Sequence, residues 1–463
     1  MSPNIGLFAV GLAAYWPQFP GMRDTLLQHH ELLAAKMPEG AVVRGGMIDT
    51  IEHAGATAAV FSQHRIDLLI CHLSTYASSD CLLHLLQTMQ GVPVLLINAQ
   101  AVPALLLAEV KGIQDWLGAG CTCAGLPEFT AVLRRCAQPF ALLTGYLDGD
   151  TAFDVELREW CMAAVAKARL MSGQIGMLGR PYPGMMDLNL DETRLLRRFG
   201  SQVLHLTWED IEQRLRGDLT TDALASAGDR IHDIFEVNPA DDVREVATVL
   251  LAVESLIYTR QLIALASHFE TTPSGDLARI LRVSNPVFSV LMRDGIACPV
   301  EADVKTAIAM TLLKSIGGSA TLAELYSMDF NDDVCLIGHS GAADPAISES
   351  KARLKQVSVF HGKPGSGYVA QFDVRPGPVT LLSLTEREAG CYIFVAAEGE
   401  VEAGPTLQLG DTNARVRFKQ GVRHFVNEWS ATGPTHHAAL GLGHHVSALR
   451  KMTTLFGVEI EVI

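Results

Sequence analysis

Apolar positions along the first 170 residues alternate between two textures. Short continuous apolar runs at residues 5–10, 68–71 and 92–98, with a shorter one at 41–44, have the length of buried strands. Between them, residues 24–36, 50–64 and 81–89 carry apolar positions at helical spacing. Strands that alternate with helices predict a parallel, doubly wound sheet. A long helical segment at 151–171 then leads to a second buried-strand run at 174–178, with a strand at 203–206 and helices at 208–216 and 239–265. Beyond residue 345 the runs shorten, at 357–360, 368–374, 379–384, 391–398, 406–409, 414–418 and 424–428, separated by Gly, Pro, Asn or Asp. That spacing predicts a sandwich or barrel, closed by a helix at 446–456 and a strand at 458–462. The predicted architecture is α/β: two Rossmann-like parallel-sheet domains at 1–168 and 169–345, then a mostly β, barrel-like domain at 346–463.

Composition narrows the class. With 463 residues, 48% hydrophobic and 19% charged, the chain has the make-up of a packed globular protein of two or three domains. A net charge of −15 disfavours nucleic-acid binding, which needs a basic face. The amino terminus has no charged n-region ahead of a long apolar core, so neither a signal peptide nor a membrane span is expected. Nine scattered cysteines, with Cys121 and Cys123 two apart and no CxxC pair, read as reduced, buried thiols of a cytoplasmic protein.

Three segments carry candidate chemistry. In Pro299-Val-Glu301-Ala-Asp303-Val-Lys305, a Pro-led loop brings charge to the start of an apolar helix. The acids either stabilise the helix N-terminus or project Glu301 into a cleft; position alone fits both. In the second segment Glu324 and Asp329 precede an Asn331-Asp-Asp333 turn, a buried strand at 334–337 and then Gly338-His339-Ser-Gly341. Asp332 and Asp333 read as solvated turn residues. His339 then sits at a strand's carboxyl end, where α/β sites gather, although a lone His there is more often merely a satisfied polar residue. The third segment, Gly433-Pro-Thr-His436-His437 to His444-His445, packs four of the sixteen histidines into ten residues, without zinc-finger spacing. A site of two Glu and two His is borderline-hard and suits Mn²⁺, with Co²⁺, Fe²⁺ or Mg²⁺ as alternatives. Paired carboxylates beside such an ion can move protons between adjacent carbons and oxygens of an aldose.

Taken together, the three segments resemble the L-arabinose isomerase family within the arabinose/fucose isomerase superfamily. Leu291-Met-Arg-Asp-Gly295 and Glu301-Ala-Asp-Val-Lys-Thr-Ala resemble the family's Met-x-x-Gly turn and Glu-Gly-Asp-Trp-Lys-Thr-Ala motif, whose Glu is a metal ligand and acid/base group. Glu324 and His339 resemble its ligand Glu and His, with a shortened turn between them. Gly433-Pro-Thr-His436-His437 resembles Gly-Ala-His-His, whose second His is the ligand, and Glu459-Ile-Glu-Val-Ile matches the family's ending. The segment Gly11-Leu-Ala-Ala-Tyr-Trp16-Pro-Gln18-Phe, together with 179–187 and Phe199-Gly200, extends the likeness more loosely. Val304 replaces the family's Trp. The family's His-Gly-x-Arg-Glu histidine has no counterpart, the nearest text being Cys123-Ala124-Gly125-Leu-Pro-Glu128.

The resemblance implies a metal-dependent aldose–ketose isomerase acting on a pentose or hexose such as L-arabinose or L-fucose. It implies metal ligands Glu301, Glu324, His339 and His437, with Glu301 and Glu324 as the acid/base pair. Gln18 and His436 are the implied sugar contacts, with His436 the fallback ligand. It further implies a homo-oligomer, a trimer or hexamer with sites at subunit interfaces, and no nucleic-acid or membrane partner. A non-catalytic sugar-binding or regulatory protein on the same scaffold is the rival reading, and a metal-dependent hydrolase a third.

Overall fold

The first strand runs over IGLFAV without a polar residue, and every one of its side chains is buried, as a sheet covered on both faces requires. It belongs to a computed structural model that describes residues 3–120, 123, 125–217, 219–238, 243–268, 275–358, 366–407, 409 and 412–463. The chain divides into two compact units, Met1–Arg169 with Arg450–Gly457, and Leu170–Leu449 with Val458–Ile463.

In the first unit, β1 (Ile5–Val10), β2 (Val42–Ile48), β3 (Leu68–Leu73), β4 (Val94–Gln100) and β5 (Phe140–Tyr146) form a parallel sheet in the order β2-β1-β3-β4-β5. Helices Met22–Ala35, Ile51–Phe61 and Asp80–Thr88 fall where helical spacing places them. Thr50 caps the second, its side chain accepting from His53 N at 3.2 Å. β5 escapes the periodicity reading because it is a half-exposed edge strand with little contrast between its faces.

The second unit opens with β6 (Gln174–Leu178), β7 (Gln202–Leu206), the two-residue β8 (Phe235–Glu236) and β9 (Leu262–Ser267). Of these, β7-β6-β9 form a parallel sheet. The predicted helix over 239–265 is a helix at Val243–Arg260 followed by β9, and residues 239–242 lie outside the described residues. The polar, exposed Thr259-Arg260-Gln261 separates the two, with Gln261 in the left-handed region at φ 52°, and the apolar run after it has strand length.

Next come β10 (Ala320–Asp329), β11 (Val334–His339), β12 (Ala352–Val357), β13 (Gly367–Gln371), β14 (Gly377–Glu386), β15 (Tyr392–Val401), β16 (Thr412–Phe418), β17 (Ala438–Leu442) and β18 (Glu459–Val462). Strands β14-β17-β10-β11-β16-β15 pair antiparallel in sequence, and β14 pairs with β15 to close the ring; β18 adds to β15 in parallel. A closed barrel leaves no raw edge in the ring. Strands β13-β12-β8 make a separate small sheet. The α/β sheets followed by a barrel are the architecture that the hydrophobic pattern predicts.

Three expected strands are corrected. Residues 424–428 lie in a helix, Val422–Ala431, whose buried Val422, Phe425 and Trp429 recur at i, i+3 and i+7. Residues 406–407 and 409 form no strand. The run at 357–360 retains only Val357, the end of β12, while residues 359–360 lie outside the described residues. Conversely, β10 and β17 form without having been expected, the latter in a Gly-rich stretch that carries no strand alternation. Five cysteines are buried, but Cys123, Cys136 and Cys391 are exposed; Cys121 lies outside the described residues. Among the described residues no helix is long and apolar enough to cross a membrane.

Candidate metal centre

Helix Val304–Gly317 is apolar on nearly every face and almost wholly buried, packed against β9 on one side and β10, β14 and β17 of the barrel on the other. Its N-cap is Asp303, which accepts from Thr306 N at 2.9 Å and Thr306 Oγ1 at 2.7 Å. The approach to that cap is strained. Glu301 and Ala302 both lie in the left-handed region, at φ 61° and 56°. Such a conformation costs a non-glycine residue about 1–3 kcal/mol and persists only where the surroundings impose it. Here Ala302 N donates to Ser267 O at the end of β9 (3.0 Å), and Tyr182 N donates to Glu301 O (3.3 Å). The reversed backbone holds the Glu301 side chain beside the imidazoles of residues 436 and 437.

Glu324 lies on β10 opposite Gly338 of β11, with His339 at the strand end. His437 immediately precedes β17, the other neighbour of β10. Three adjacent barrel strands therefore deliver one carboxylate and two imidazoles to the end of the helix that carries Glu301. His437 Nε2 lies 3.5 Å from both Glu301 Oε2 and Glu324 Oε1, and His339 Nε2 lies 3.8 Å from Glu324 Oε1. His436 Nε2 lies 3.7 Å from Glu301 Oε2 and 3.6 Å from Glu324 Oε1. These separations exceed hydrogen-bond lengths. They resemble the roughly 3–3.5 Å between donors that share one ion at about 2.1 Å each.

Each imidazole is locked at its far nitrogen. His437 Nδ1 donates to Asp303 Oδ2 (3.0 Å), His436 Nδ1 to Asp187 Oδ2 (2.6 Å) and His339 Nδ1 to Ser340 O (2.7 Å). Because all three partners are acceptors, the proton of each neutral ring sits on Nδ1 and the Nε2 lone pair faces the centre. His437 Nε2 is buried and completes no hydrogen bond among the described residues.

The electrostatics demand positive charge. Four carboxylates, of Glu301, Glu324, Asp303 and Asp187, surround three imidazoles. Burial pulls His437 down, but the hydrogen bond to Asp303 and the facing carboxylates of Glu324 and Glu301 overcome it and raise its pKa to about 10. Burial pushes the Glu324 carboxyl up, yet the three imidazoles outweigh it and hold it below the ordinary value. Burial, then the charge of His437, lowers His339. The facing Glu301 carboxylate raises His436 against burial, with Asp187 adding to it. The surplus of carboxylates over imidazoles favours a bound cation at the cluster. Two overlapping sets, Glu301-His436-His437 and Glu324-His339-His437, each bring their donor atoms within 4.8 Å of one another.

The structure thus groups Glu301, Glu324, His339, His436 and His437 within the second unit. Gln18 belongs to the first unit; it is exposed, and its amide donates to Ala14 O at 2.7 Å. His444 and His445 point elsewhere, the former near Glu400 (3.3 Å) and the latter bonded to Leu442 O (2.6 Å). Asp333 is more than a solvated turn residue, since it accepts from Val422 N at 2.8 Å at the start of a helix. Ala124, in the segment nearest the missing family histidine, lies outside the described residues; Glu128 there accepts from Tyr76 OH (3.0 Å) and Ser79 N (2.9 Å). Sequence reasoning passed over Asp187 and gave Asp303 only a helix-end role. The Glu-x-Asp spacing was a usable signal for Asp303, whereas nothing local marked Asp187, whose partner lies 249 positions away.

Residues 319–459 match the model of the L-arabinose isomerase C-terminal domain. The L-arabinose isomerase of Acidothermus cellulolyticus is 22% identical over 387 residues, covering 80% of this chain and 75% of the relative. That of Salmonella typhi is 22% identical over 390 residues, covering 80% and 76%. That of Clostridium beijerinckii is 21% identical over 362 residues, covering 75% and 72%. The chain is thus similar to L-arabinose isomerases over most of its length, and its residues 319–459 match the C-terminal domain of that family.

Proposed function

We propose that this protein is a divalent-metal-dependent aldose–ketose isomerase acting on a pentose or hexose such as L-arabinose or L-fucose. The observation that carries the reading is the meeting of Glu301, Glu324, His339 and His437 around one small space, each imidazole locked with its Nε2 lone pair inward. Those four residues would hold the ion, and their mixed N/O chemistry fits Mn²⁺ best among Mn²⁺, Co²⁺, Fe²⁺ and Mg²⁺. When bound there, such an ion polarises the two sugar oxygens and lowers the cost of negative charge on them.

The chain's own residues do the rest. One glutamate takes the proton from C2 of the open-chain aldose; the C2–H electrons form the C1=C2 bond, and O1 receives a proton. O2 then gives up its proton, C1 accepts one, and the carbonyl now stands at C2. No electron leaves the substrate, so no external oxidant or reductant is needed. Glu301 and Glu324, 15% and 29% exposed, are the two carboxylates positioned for this shuttle. His436, at 34% exposure, faces solvent and is the proposed contact for a sugar oxygen; Gln18 is proposed as a second contact, in an assembly of several copies with sites at subunit interfaces.

Ketose formation from a panel of aldoses, measured on the full chain after EDTA and after added Mn²⁺, tests the proposal. Conversion that requires the metal supports it, and full conversion after stringent metal removal overturns it. Sugar binding without turnover or metal would favour the non-catalytic rival.

A further inference from the structure

Two carboxylate–imidazole pairs flank the cluster, and only one belongs to the proposed four-ligand set. The inner pair, Asp303–His437, is fully buried on both sides. The outer pair, Asp187–His436, is 37% and 34% exposed. Asp187 Oδ2 accepts twice from the same residue, from His436 N at 2.9 Å and from Nδ1 at 2.6 Å, which sets both the position and the rotation of the ring. As a result His436 Nε2 faces Glu301 Oε2 and Glu324 Oε1, the same two oxygens that His437 Nε2 faces.

The loop that carries Asp187 is itself tied to the site. Lys305, in the first turn of the buried helix, donates from Nζ to the carbonyls of Asp187 and Asn189, the latter at 3.1 Å. Tyr182 N, from the same loop, donates to Glu301 O. Loop, glutamate and lysine therefore form one braced assembly, which presents the Asp187 carboxylate to His436.

We infer that Asp187 is a positioning residue that makes His436 a fifth, solvent-side donor of the cation site in the sugar-free protein. The inference rests on the metal-centre reading above. A carboxylate behind a ligating histidine fixes its tautomer and raises its basicity, and loss of such a partner typically weakens metal binding 10–100-fold. The half-exposed position makes His436 the donor that a sugar oxygen can displace, which unites its ligand role with the sugar contact proposed for it.

The test is Mn²⁺ binding to the full chain by calorimetry, without sugar, for the wild type, Asp187→Ala, His436→Gln and the double variant. Loss of the arm is expected to weaken Mn²⁺ binding about 10–100-fold in each single variant. The double variant should be no weaker than His436→Gln, because both changes remove one arm. Pulsed electron paramagnetic resonance on bound Mn²⁺ should count three coupled nitrogens in the wild type and two in His436→Gln, a change that a merely structural role would not produce. Unchanged affinity in both single variants, or two nitrogens in the wild type, overturns the inference and leaves the four-ligand site intact. A wild type that binds no divalent cation overturns the metal-centre reading instead.

Discussion

Among the described residues, buried histidines gather in two clusters, and their surroundings drive them in opposite directions. In the first unit His30, on helix Met22–Ala35, meets His72 on β3, Nδ1 to Nδ1 at 3.3 Å, with the rings stacked and nearly no solvent access. Burial, reinforced by the charge of Arg44, lowers His30 to about 4; burial and the neighbouring His30 lower His72 to about 3. In the second unit His437 is just as buried, but Asp303, Glu324 and Glu301 raise it to about 10. Burial alone keeps an imidazole neutral, whereas an excess of carboxylates forces a positive charge onto the site. The first pair reads as structural packing and the second as a cation centre, although the residue type and the depth are the same.

The largest effect expected from breaking this contrast is on turnover. Glu301→Gln and Glu324→Gln keep the shape and remove the proton carrier, and each should lower ketose formation by about 10²–10⁴-fold. A variant retaining near wild-type turnover would remove that residue from the acid/base pair. Smaller, but independent of activity, is stabilisation by metal. At a Mn²⁺ concentration 100 times its dissociation constant the second unit should gain about 2.7 kcal/mol, read as a raised unfolding midpoint that EDTA reverses. His437→Gln should abolish most of that gain, and an equal gain in the variant would place the ion elsewhere.

The His30–His72 pair sharpens the other half of the comparison through pH. Its folded pKa values lie below the unfolded value of about 6.5, so the unfolded chain binds protons first on acidification. The stability due to neutral burial is whole above pH 6.5 and is lost as pH falls towards 4, at up to about 1.4 kcal/mol per pH unit for each imidazole. His72→Phe should flatten this acid limb in a denaturation series, and an unchanged slope would assign acid sensitivity to other groups. The smallest expected effect is that of Thr50→Ala, which removes a helix cap in the first unit at a cost of about 1 kcal/mol. It should leave Mn²⁺ affinity unchanged; a weakened affinity would mean that the two clusters do not act separately.

Much of this is legible in the amino-acid sequence alone. The buried strands announce themselves as unbroken apolar runs, as in Ile5–Val10, and the three segments bearing Glu301, Glu324–His339 and His436–His437 stand out by their chemistry. Local reading failed where the pattern was ambiguous or carried no contrast. Residues 424–428 read as strand because five residues cannot distinguish the two periods, and only the packing of Phe425 and Trp429 decides. Residues 250–265 hid a helix-to-strand break because polar Thr259-Arg260-Gln261 also fits the exposed face of a continuing helix.

By itself, the order of residues determined the elements and the donor types, because helix and strand periods and ligand chemistry are properties of neighbours along the chain. Only the tertiary structure decided that donors at 301, 324, 339 and 437 meet, that Glu301 is held in a left-handed turn, and that Asp303 and Asp187 stand behind the two adjacent histidines. Those facts depend on packing a buried helix between a parallel sheet and a closed barrel, a balance of long-range packing and strain that no local window contains.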